Sequence, residues 1–140
     1  MSRKIAACSA MVAALVLAPD AHAAHGKAGL WSSTTTVTIP NVAPQVHATT
    51  YCMTPQQVAS DAPAADPRSG CTYSNVHVTG HTMTADMTCK GQMDATGHFS
   101  STYDSDTHFN AKIDIATQGI NMTNMVEGHW VKADCAGAQQ

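Results

Sequence analysis

The sequence predicts an all-β fold, an antiparallel meander of about seven strands curled into a small barrel, half-barrel or sandwich. Three observations predict it. Apolar and polar residues alternate with period two through most of the chain, Thr and Val dominate the alternating runs, and turn residues recur at the 8 to 12 residue spacing of antiparallel strands. No segment carries a helical period long enough for a parallel βαβ unit. A sheet of this size rarely stays flat, because curling or layering hides its edges.

The run from Leu30 to Ile39 is β-branched, with Trp31, Val37 and Ile39 on one side and Thr34, Thr36 and Thr38 on the other, and Pro40 ends it. Val46 to Met53 returns as a second strand. Thr54 followed by Pro55 is a helix start, since Thr accepts an orphan backbone N–H and Pro has none to lose; one short helical turn is expected over Thr54 to Ala59. Asp61 to Gly70, rich in Pro, Ala and Asp, is expected to be a surface loop. Cys71 to Thr79 and His81 to Cys89 form a hairpin around Gly80, and the second strand sets Met83, Ala85, Met87 and Cys89 on one face. Gly97 to Tyr103, Thr107 to Ile115 and Ile120 to Val131 complete the set.

Ahead of these strands, residues 1–23 have the form of a secretory signal. Arg3 and Lys4 precede an apolar stretch from Ile5 to Leu17, and Ala21-His22-Ala23 is a small-x-small cleavage site. The stretch is shorter than the roughly 20 residues that span a bilayer, and no membrane insertion is expected after cleavage. Residues 24–140 are then a single β-rich domain, periplasmic or secreted. Cleavage leaves five of the seven basic residues and nine of the ten acids, a net charge of −4, so the footprint of a nucleic-acid binder is missing.

Four of the five cysteines remain, Cys52, Cys71, Cys89 and Cys135, an even count that in an exported chain reads as a disulfide framework. Three pairings are open. Cys52–Cys71 with Cys89–Cys135 is favoured here, because Cys52 and Cys71 bracket the loop least able to hold itself, and closing about 20 residues stabilises by about 3 kcal/mol in the chain-entropy model.

Gly29-Leu30-Trp31, Cys52-Met53-Thr54-Pro55, the Pro-rich gap to Cys71, Met87-Thr88-Cys89 and Asp134-Cys135, in this order behind a signal segment, resemble the bacterial exported family called domain of unknown function 3617. The resemblance implies an envelope location and a small β-domain, and it carries over no catalytic residue. The histidines are not part of it.

Seven of the eight histidines lie beyond the signal. His77 and His81 flank Gly80 and are placed to meet across the hairpin, with His129 or Asp86 as a third metal ligand. Their neighbours Asn75, Thr79 and Thr82 read as ordinary strand residues that would not hold a ligand ring, so tight metal binding is not expected. The methionines are read as filler for a core poor in Leu and Phe. Asp104, Asp106 and His108 with Ser101 and Ser105 supply the ingredients of a triad, but within so short a stretch they read as turn residues. The chain is therefore expected to be a non-catalytic envelope domain without a cofactor, binding a small apolar ligand or an envelope protein partner. A periplasmic His/Met metal-binding protein is the alternative.

Overall fold

The computed structural model describes residues 26–60, 63, 70–91 and 94–138. The expected signal segment, and most of the Pro-rich stretch expected to form a surface loop, lie outside the described residues. Seven strands form: β1 (Gly29–Thr38), β2 (Gln45–Met53), β3 (Cys71–Thr79), β4 (Thr82–Cys89), β5 (Ala95–Ser105), β6 (His108–Thr117) and β7 (Ile120–Lys132). One short helix, α1 (Pro55–Val58), follows β2. The expected capping is present and reciprocal. The Thr54 hydroxyl accepts from the Gln57 N–H at 3.2 Å, and the Thr54 N–H donates to Gln57 Oε1 at 2.8 Å.

All seven strands belong to one antiparallel sheet in the order β2-β1-β7-β6-β5-β4-β3. The sheet is open, so neither a closed barrel nor a two-layer sandwich forms from the described strands. Four hairpins run in succession from β3 to β7, and β1 then pairs with β7 on one side and β2 on the other. The consequence lies in the remaining connection. β2 and β3 are consecutive in sequence yet occupy opposite edges, so the chain between Met53 and Cys71 must cross the width of the sheet.

Because side chains alternate, each strand contributes one set to an apolar face and one to a polar face. Trp31, Met53, Tyr103, Phe109 and Ala111 make the buried cluster on the apolar face, with Tyr51, Val58, Phe99, Val126 and Trp130 packed against it. Val58 comes from α1, so the crossover starts on this face. Pro63, which was expected to sit in a surface loop, is buried. Met83 and Ala85, each 1% exposed, and Met87 extend the core toward β4, as filler in a chain with few large aliphatic residues. The three aromatic rings meet at angles, Trp31 to Tyr103 edge-on at 6.1 Å and Tyr103 to Phe109 at 5.2 Å. Gly128 makes room for them, since the Phe109 ring lies over its backbone where any Cβ would stand.

The cysteine pairing differs from the expected one. Cys71 bonds to Cys89 and Cys52 bonds to Cys135. Strand order is the reason. Cys52 and Cys71 sit on the two edge strands, with five strands between them, whereas Cys71 and Cys89 are direct register partners in the β3–β4 hairpin. At the other edge, Cys135, beyond the end of β7, bonds to Cys52 on β2, so the link spans β1, which lies between β7 and β2.

Candidate functional site

The apolar face divides in two. Around Trp31 it is sealed by the segment before β1: Trp31 Nε1 donates to the Lys27 carbonyl at 2.8 Å, Trp130 Nε1 donates to the Ala28 carbonyl at 3.0 Å, and Lys27 Nζ stands over the Trp130 ring. Burial pushes the Tyr103 hydroxyl up to about 12 and raises that of Tyr51 as well, the mark of a dry environment. Further along the strands, Val37, Asn124, Ile113, Phe99 and Ala85 follow one another across β1, β7, β6, β5 and β4 in register. Within this apolar row Asn124 is anomalous. Its side-chain oxygen is buried and has no hydrogen-bond partner among the described residues. Buried acceptors are nearly always satisfied, and one left unpaired costs about 1–3 kcal/mol.

The polar face carries the charges. Near the β3 edge, a bulge between Ser74 and His77 puts Asn75 in the left-handed region, at φ 49°. From there its amide donates to Asp86 Oδ2 at 2.7 Å, while His98 Nδ1 lies 3.1 Å from Asp86 Oδ1. These bonds, Asn75 first, hold the Asp86 carboxyl below its ordinary value. Asp114 is lowered in the same way by Lys112 and then by the Thr123 hydroxyl.

Nearer the centre of the sheet is a second cluster. His108 on β6 and His129 on β7 are register partners, with ring centroids 4.5 Å apart. Glu127 shares their face two residues before His129, and its Oε1 is 3.1 Å from His108 Nε2 and 3.4 Å from His129 Nε2. A bulge between Tyr103 and Ser105 turns Asp104 the same way, 2.7 Å from His108 Nδ1. Asp104 and then Glu127 hold the His108 ring protonated to higher pH than an ordinary histidine. Ser101 belongs to the opposite face, opposite Ala111, and the Ser105 hydroxyl bonds to Thr107.

The histidines singled out from sequence are distributed differently. His77 lies opposite Thr84, and His81 occupies the turn that follows Gly80, so the two are not register partners. His129 stands three strands from β4, with β5 and β6 between. Asp86 is engaged with Asn75 and His98. What the sequence reading missed is His108 with Glu127. The alternating Glu127-Gly128-His129 was a visible signal, but its partner strand was not.

The family described as protein of unknown function, DUF3617, matches residues 26–135. No curated protein and no solved structure matches the chain.

Proposed function

The chain belongs to the DUF3617 family, and from its geometry we propose that it is a non-catalytic binding domain of the bacterial envelope that takes a small apolar molecule carrying one hydrogen-bond donor on its apolar face. The observation that carries this reading is the Asn124 oxygen, a buried acceptor without a partner among the described residues, set in a row of Val37, Ile113, Phe99 and Ala85. An apolar surface with a few fixed polar groups is the usual chemistry of a small-molecule site. The start of the β2–β3 connection lies on the same face, because Val58 packs against the aromatic cluster there. Two disulfides and the signal-like residues 1–23 favour an oxidising compartment outside the cytoplasm.

The test is binding of a matched pair of alkyl probes, dodecanol and its methyl ether, to the mature chain. The alcohol is expected to bind about fivefold more tightly, the worth of one hydrogen bond of about 1 kcal/mol, and Asn124→Leu is expected to erase that preference while retaining affinity for the ether. Absence of binding by either probe, with no organic adduct in native mass spectra of protein isolated from the envelope, overturns the reading.

A further inference from the structure

We propose that His108, Glu127 and His129 form a site for a divalent late transition-metal ion of the zinc class, on the face of the sheet opposite Asn124. Two imidazole nitrogens and one carboxylate oxygen are a donor set that zinc accepts, with the fourth position left to water. The spacing suits it. A tetrahedral ion with bonds of about 2.0–2.1 Å holds its donors about 3.3 Å apart, and Glu127 Oε1 stands 3.1 and 3.4 Å from the two Nε2 atoms. All three donor atoms lie within 4.8 Å of one another.

The mounting is as important as the donors. His108 and His129 are register partners on β6 and β7, which are interior strands of the sheet, so neither backbone is free to drift. Gly128, between the two β7 donors, packs under the Phe109 ring on the far face and fixes the register locally. Asp104 supplies the outer support that a metal-bound histidine requires. By accepting the His108 Nδ1 proton at 2.7 Å, it fixes the ring and leaves Nε2 as the coordinating atom.

Calorimetry with zinc, on the mature chain carrying no histidine tag, tests the site, together with the visible spectrum of the cobalt(II) form. One ion per chain is expected, with a dissociation constant on the order of micromolar and a cobalt spectrum of tetrahedral intensity. His108→Ala, His129→Ala and the near-isosteric Glu127→Gln should each weaken binding at least tenfold. Asp104→Asn, which touches no ion, should weaken it about tenfold to a hundredfold. His77→Ala with His81→Ala should leave it unchanged. The proposal fails if the wild-type chain takes up no zinc below millimolar concentration, if Glu127→Gln and His129→Ala keep wild-type affinity in a folded chain, or if affinity follows His77 and His81 instead. Since neither probe of the apolar face touches these residues, the two results are independent.

Discussion

Asn75 shows how one residue's backbone sets another's charge. At φ 49° it stands where most side chains are strained and Asn is tolerated, and the bulge it occupies brings its amide to Asp86. His98 and His77 also face that carboxylate. The folded value of Asp86 lies below its ordinary 3.8, so its contribution to stability is present above that value and is lost as the pH falls through the lowered one. Asn75→Gly preserves the backbone and removes the largest cause. A carbon-13 titration of the Asp86 carboxyl should then move up toward the ordinary range, with His98 still holding part of the shift. A titration identical to wild type would show that the bond to Asn75 does not operate in solution.

At the scale of elements, α1 is four residues long, too short to persist on helical propensity. The reciprocal Thr54–Gln57 bonds and the packing of Val58 on the aromatic cluster keep it in place. Thr54→Ala is expected to cost about 1 kcal/mol in urea unfolding and to speed amide exchange at Gln57 and Val58 selectively, with β4 to β6 unchanged. Uniform acceleration across the sheet would mean that the cap serves the global fold and not the start of the crossover. The strands were readable because one face is dry and one is wet, so that alternation survives in Met83-x-Ala85-x-Met87 and Phe109-x-Ala111-x-Ile113. The bulges at Asn75 and Asp104 were not, since each rests on a single extra residue whose cost the partner strand repays.

The disulfides act on the whole molecule. Cys52–Cys135 joins residues 83 apart and Cys71–Cys89 residues 18 apart. In the chain-entropy model the first stabilises by about 4.5 kcal/mol and the second by about 3 kcal/mol. Replacing Cys52 and Cys135 with Ala should therefore destabilise the chain more than replacing Cys71 and Cys89, by about 1.5 kcal/mol in urea unfolding. Peptide mapping without reductant should recover only these two links. A Cys52–Cys71 peptide would contradict the strand order itself, because it would require the two edges of the sheet to meet.

Sequence by itself determined the all-β class, seven strands close to their observed limits, the cap at Thr54 and the family. Each of these rests on spacing along the chain: a period of two, a Thr-Pro start, motifs in a fixed order. The tertiary structure decided which cysteines bond, that the sheet stays open, and that His108, Glu127 and His129 share a site. Those depend on which strands lie side by side. Periodicity states which face a residue takes and not which neighbour stands beside it, and the placing of β1 beside β7 and of β2 and β3 at opposite edges is a matter of neighbours.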